Sequence, residues 1–313
     1  MRMPILLQRL LPEMTRLQAN LILLLAGAMW GMGFVAQSTA MKSISPLLFT
    51  GLRFTLATLV VLPFAIREAR QAQTALMPRN WLAFIWIGLL MLGAIATQQI
   101  GLLSTTVTNS GFLTGLYVVM TPLLGVMLFR HWPHPVVWPA ALTALAGIWF
   151  LSGGAIEHLT SGDWLTVLAA GFCALQVIFI ARAASSTGRP ITLAVTQFAI
   201  CAILGLTGAL VHEQIDFNAA RAALPEIVYA GIFSGGIAFT LQVVGQRYTT
   251  APQAAIFLSS EALFAALFGA LILDERLQAI GFLGCGLIFA AILAVELAPA
   301  LLARLARPEP SRP

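Results

Sequence analysis

The chain has 313 residues, of which 59% are hydrophobic and only 9% charged. Soluble domains carry about 25% charged residues, so a fully water-facing surface is excluded, and lipid is the solvent this composition fits. The net charge of +5 does not point to nucleic acid, because the arginines fall in short loops between apolar runs and not on one basic face.

Met1 to Gln18 carries Arg2, Arg9 and Arg16, as a signal-peptide n-region would. The run after it is too long for a cleaved h-region and ends without an A-x-A site, so it is expected to be retained as the first span. In chain order the apolar runs fall at 20–40, 46–66, 80–101, 107–129, 135–153, 163–182, 190–211, 222–246, 251–273 and 277–297. About twenty apolar residues cross a bilayer core as a helix. A barrel would instead show ten-residue alternating segments, and these runs are apolar all round. Turn residues punctuate them, as in Met77-Pro78-Arg79-Asn80 and Ser161-Gly162-Asp163. The tail after Leu297 is Pro- and Arg-rich and expected to fray. The expectation is an all-α membrane protein of ten transmembrane helices.

Ten spans put both termini on one side. With both in the cytoplasm, thirteen arginines lie inside and only Lys42, Arg221 and Arg276 lie outside. That positive-inside bias predicts a multi-pass protein of the cell inner membrane with cytoplasmic termini.

The halves echo each other at an offset of 143–144 residues. Pro46 falls on Pro190, Arg53-Phe54 on Gln197-Phe198, Gly88 on Gly231, Gly93 on Gly236, Thr97 on Thr240 and Gln99 on Gln242. A unit of five spans enters the membrane from opposite sides when repeated. The expected domains are therefore two inverted five-helix repeats, 20–153 and 163–297. Secondary transporters use this architecture, with substrate near the midplane at the repeat interface.

The runs Ala28-Met29-Trp30-Gly31-Met32-Gly33-Phe34, Pro46 to Phe54, and Thr249 to Ile256 leading to Glu261 and Leu273-Asp274-Glu275-Arg276 resemble the EamA-type branch of the drug/metabolite transporter superfamily. The resemblance covers residues 20 to 297. It implies a 5+5 inverted repeat with a central cavity, and export or exchange of metabolites such as amino acids. Two departures stand out. Glu261 is followed by Ala262 where the family commonly has proline, which puts a kink there in question. No interior Asp or Glu occupies the first or sixth span, which argues against the carboxylate mechanism of small multidrug relatives.

A charge at midspan costs about 2.5–3.5 kcal/mol on insertion scales, so two interior residues are conspicuous. Arg53 lies about 10 Å inside the second span, and Glu261 lies near the midplane in the ninth. Arg53 either binds a substrate carboxylate or phosphate, or pairs internally or snorkels to the interface. Glu261 either takes a proton or binds an amine, or is the partner of Arg53. The uncharged candidates for substrate binding are Trp30, Gln98, Gln99, Asn109, Tyr117, Gln176 and Gln242, with Gln197 also polar and intramembrane. Each serves either a ligand or a neighbouring helix.

Gly27/Gly31, Gly111/Gly115 and Gly231/Gly235 are spaced for close helix approach, and Pro122 in the fourth span serves either packing or a kink. His131 and His134 do not make a metal site, and Cys173, Cys201 and Cys285 lack ligand spacing, so no metal or cofactor is expected. The single lysine, Lys42, follows Met41, which rules out a Gly-Lys-Ser/Thr phosphate loop. No H-E-x-x-H or G-x-S-x-G motif occurs. The reading is a secondary transporter, an exporter or exchanger of small polar metabolites, whose partners are that substrate and the bilayer, with proton coupling through Glu261. The alternatives are a passive channel, and a membrane enzyme using Glu157, His158, Asp163, His212, Glu213 and Asp216.

Overall fold

The computed structural model describes residues 14–105, 107–130, 132–153, 159–272 and 279–305, without the side chains of 107–109 and 299–305. The described residues form helices and connecting turns, with no strand among them. α1 spans Arg16–Ala40, α2 Pro46–Gln71 and α3 Pro78–Gly101. α4 runs as Val107–Gly115 and then Tyr117–Phe129, and α5 is Val137–Leu151. α6 is Ser161–Thr187 and α7 Pro190–His212, with a short helix Phe217–Ala222 after it. α8 is Leu224–Gln246, α9 runs as Ala251–Leu258 and Ser260–Ile272, and α10 is Ala279–Leu305.

Among the described residues, nine of these helices are long and apolar enough to cross a bilayer. The remaining one, α5, has only 15 residues. The apolar run 135–153 is shortened there because Gly153 adopts φ +93, which a right-handed helix cannot continue through. In contrast α6 extends past position 182 to Thr187, and Gly188 at φ +63 ends it. α1 starts upstream of its apolar run because Thr15 and Gln18 form a capping box, each side chain accepting from the other's backbone N–H at 3.2 and 2.8 Å.

The packing is regular. α2 lies on α7, α3 on α6, α5 on α10, α1 on both α8 and α9, and α4 on α6. Exchanging α1–α5 for α6–α10 maps these pairings onto one another. The α2–α7 pair is antiparallel, because each helix start meets the other's end. Pro46 and Pro190 open the two helices, and neither has a side-chain cap of its own. At the start of α2 the N–H groups of Leu47 and Leu48 donate to Glu213, just past α7, at 2.8 and 2.9 Å. At the start of α7 those of Ile191 and Thr192 donate to Glu68, near the end of α2, at 3.0 and 2.8 Å. The Thr192 hydroxyl adds a bond to Glu68 at 2.6 Å. Between these clamps the helices nearly touch: a Cβ on Gly205 would sit 3.0 Å from the Cα of Gly51.

Each carboxylate satisfies two otherwise orphaned N–H groups at the positive end of a helix. Glu68→Ala and Glu213→Ala should each lower stability by about 1–2 kcal/mol. The double variant should be nearly additive, since the clamps sit at opposite ends of the pair. Thermal unfolding in detergent measures this; no loss in either variant would mean that water caps these helices equally well.

Candidate functional site

Between the two sets of helices lies a cavity walled by α1, α2, α3, α4, α6, α8 and α9. The space open to water-molecule centres is about 80 Å³. A single water needs roughly 10–15 Å³ on this measure, so the cavity holds several waters or one compact metabolite. Seven of the nine predicted binding residues line it: Trp30, Arg53, Gln98, Tyr117, Gln176, Gln242 and Glu261.

Arg53 is 2% exposed. Its guanidinium carbon lies 5.2 Å from the ring centre of Phe49 and 4.8 Å from that of Phe54. Nε and Nη2 are buried without a hydrogen-bond partner. The side chain therefore does not snorkel, and among the described residues it forms no ion pair with Glu261. Aromatic faces stabilise its charge but leave in-plane N–H groups unanswered.

Glu261 stands at the centre of α9, just after the helix is interrupted at Ser259. Gly27 and Gly31 of α1 make room for this stretch. A Cβ on Gly27 would strike the Ser260 hydroxyl, and one on Gly31 would lie 2.5 Å from Phe264 Cβ and 2.6 Å from the Ala265 nitrogen. The spacing read as a helix-approach motif thus seats α1 against the backbone around Glu261. Gly231 and Gly235 do the same for α8 against α2, with Arg53 O and Ala57 Cβ as close neighbours. Gly111 faces open space, so the third pair contributes only Gly115, which packs on Ile148.

α4 is interrupted at Leu116 and α9 at Ser259, positions one repeat offset apart. At both breaks the ladder tightens: Val119 N donates to Leu116 O at 3.1 Å, and Ala262 N to Ser259 O at 3.2 Å. Neither break is caused by proline, since Pro122 lies six residues past Leu116 and α9 has Ala262 in the family's proline position. Pro122 lies inside the second segment of α4. Tyr117 follows the first break and lines the cavity, as Glu261 does after the second.

Residues 230–238 of α8 wind as a π-helix. Trp30 Nε1 donates to the Ser234 carbonyl within it at 3.0 Å, and the indole packs on Phe239 at 4.6 Å between ring centres. Trp30 thus contributes both to the core and to the cavity wall. Phe54, Phe198 and Phe239 cluster beside it at 6.0–6.4 Å.

The amides divide the two roles. Gln98 Nε2 donates to Thr114 Oγ1 at 2.8 Å, and Gln176 Nε2 to Gln197 Oε1 at 2.9 Å, so both bridge helices while facing the cavity. Gln242 Oε1 and the Tyr117 hydroxyl are buried and unpartnered. Gln99 is not on the wall; its Nε2 donates to Gln37 Oε1 at 2.8 Å. Gln37 is the lining residue there, and sequence reasoning missed it because it sits near the end of α1, where an amide reads as interfacial. Asn109 lies in α4, and its side chain is outside the described residues. Thr114, Cys173 and Ser234 were also missed as lining residues, being small groups unmarked among apolar neighbours.

The acidic residues proposed for an enzyme centre are otherwise engaged. Glu213 caps α2, Asp216 caps the short helix through Asn218 and Ala219, and Asp163 bonds Thr160 and Thr105. Glu157 and His158 lie outside the described residues.

The profile of the EamA-like transporter family matches residues 17–153 and again 160–297. The chain belongs to the EamA-like transporter family. An uncharacterized transporter of Archaeoglobus fulgidus is 30% identical over 283 residues, 90% of this chain and 87% of that protein. The threonine/homoserine exporter RhtA of Escherichia coli K12 is 24% identical over 268 residues, 80% of this chain and 83% of its own. A protein of known crystal structure shares this chain's fold at a TM-score of 0.77 and 20% identity, over 94% of this chain and 100% of that one.

In this EamA-like chain the α1–α9 contact positions the cavity carboxylate. Gly31→Ala should overpack it and cost about 1–3 kcal/mol. Gly171→Ala, where a Cβ meets nothing within 4 Å, should be neutral or gain up to about 1 kcal/mol. Melting temperatures of the two variants in one detergent test this, and equal values would show that α1 can shift freely on α9.

Proposed function

We propose that the chain is a secondary transporter, an exporter or exchanger of small polar metabolites such as amino acids, working by alternating access in the cell inner membrane. The observation that carries this reading is the cavity between the two helix sets, with an unpartnered guanidinium on α2 and a carboxylate on α9 facing it. In the proposed arrangement ten helices cross the membrane as two inverted five-helix repeats, 20–153 and 163–297, with both termini cytoplasmic. The antiparallel α2–α7 pair supports inversion, because repeat-equivalent helices run opposite ways. The excess of arginines on one side supports the orientation. Rocking one repeat against the other would open the cavity to each side in turn.

The relatives named as transporters support carriage over catalysis, and RhtA, a threonine/homoserine exporter, supports amino acids as the first substrates to test. The aromatic cluster of Phe54, Phe198 and Phe239 favours a closed carrier over a continuous polar pore. Counterflow into proteoliposomes, with a panel of amino acids and other small metabolites, is expected to be saturable and accelerated by substrate on the far side. Flux linear in concentration without that acceleration would favour a channel. No flux for any compound would remove the transport reading.

Proton coupling is assigned to Glu261, which shares the cavity with Arg53, Tyr117 and Cys173. Glu261→Gln should flatten the pH dependence of exchange, whereas Glu157→Ala should leave it unchanged. An unaltered pH profile in the Glu261 variant would take the residue out of the coupling role.

A further inference from the structure

Where the end of α4 meets α6, two arginines stand without a counter-charge. The guanidinium carbon of Arg182, on α6, lies 3.9 Å from the ring centre of Phe129, the last residue of α4. Phe179, one turn earlier on α6, meets the same ring edge-on at 6.0 Å. Arg130 follows Phe129 directly and caps α4, so both arginines belong to one helix contact. Both are exposed, and among the described residues neither guanidinium has a hydrogen bond or an ion pair. The carboxylates described at this end are engaged elsewhere: Glu68 caps α7, and Glu296 accepts from Asn20 and Gln253.

The backbone marks the same spot. Among the described residues Arg130 is the one non-glycine residue with a positive φ, at +52. A left-handed helix cap is ordinarily glycine or asparagine, because a Cβ crowds the neighbouring carbonyl there. The chain thus keeps a guanidinium where glycine would relax the backbone.

The surroundings are amphiphilic. In the last turn of α4, Met127 is 75% and Leu128 48% exposed. Just past the helix end Trp132, 70% exposed, packs on Trp138 at 6.1 Å between ring centres. Exposed tryptophans beside a spanning helix mark the level of the lipid headgroups. The Phe129 ring answers one face of the Arg182 guanidinium and leaves its in-plane N–H groups free. A soluble anion would gain from those N–H groups alone. A phospholipid gains from them through its phosphate and from the apolar turn through its tail. A zwitterionic headgroup brings a cation to two unneutralised arginines, so an anionic headgroup fits better.

We propose that the joined ends of α4 and α6 are a docking site for an anionic phospholipid, with its phosphate on Arg130 and Arg182 and an acyl chain along Met127 and Leu128. On the orientation proposed above, the lipid belongs to the cytoplasmic leaflet. Arg130 lies in the first family match and Arg182 in the second, so one lipid joins the two halves at this end.

Native mass spectrometry of the delipidated full chain in detergent, titrated with phosphatidylglycerol or phosphatidylcholine, tests this. Phosphatidylglycerol should bind tighter by about fivefold for each arginine engaged, as expected for one basic residue at an anionic surface. Arg182→Gln should lose about fivefold of that preference, and Arg182→Lys should keep most of it. Arg130→Gly should lose a similar factor while melting no lower than the parent chain in phosphatidylcholine nanodiscs, since it relaxes the cap. These last two variants guard against a Gln variant that does not fold. Arg70→Gln removes an exposed arginine from α2, a helix without substantial packing on α4 or α6, and should leave the preference intact.

No preference for phosphatidylglycerol in the parent chain would overturn the proposal. So would an equal loss in Arg70→Gln, which would mean that the whole basic face acts and not this pair. Displacement of the lipid by glycerol 3-phosphate would also overturn it, by identifying a site for soluble phosphates.

Discussion

The first turn of a helix has N–H groups with no partner inside the helix, and this structure answers that constraint with two exchanged carboxylates. Glu213, beyond the end of α7, accepts from the first turn of α2, and Glu68, near the end of α2, accepts from the first turn of α7. Because each half supplies the cap of the other, the two cannot separate without exposing both a helix end and a charge. Close approach at Gly51 and Gly205 gives the pair its common axis. α3 and α8 pack against that pair, and α5 packs on α10.

Much of the architecture was legible because lipid makes composition informative. A chain with 9% charged residues leaves few positions for charge, so Arg53 and Glu261 stood out as soon as the spans were drawn. Helix starts followed from Pro46, Pro78 and Pro190, which the structure places in the first turn of α2, α3 and α7. The caps themselves were not legible, since the partners of Glu68 and Glu213 are more than a hundred residues away in sequence.

The cavity wall was harder to read than its charges. Helical runs apolar on all faces carry no periodic mark of which side meets a ligand. Gln99 and Gln242 are repeat equivalents, yet Gln242 faces the cavity and Gln99 stands behind Gln37. The π-helical turns at 230–238 account for part of this asymmetry, because the equivalent stretch of α3 is regular and a π segment rotates the residues after it. Nothing in Ala-Gly-Ile-Phe-Ser-Gly-Gly-Ile-Ala announces that winding. The breaks at Leu116 and Ser259 were also hidden, since neither carries a proline.

The difference between positions 53 and 197 has a wider implication. Two identical halves folded this way would bring a second guanidinium toward the same hollow, and like charges sharing a dry space repel strongly. Here the second copy is Gln197, a neutral amide that accepts from Gln176. Joining the halves in one polypeptide lets them share a scaffold while diverging in electrical character. The hollow can thereby carry a guanidinium on one wall without its double on the other, which no exactly twofold container is able to do.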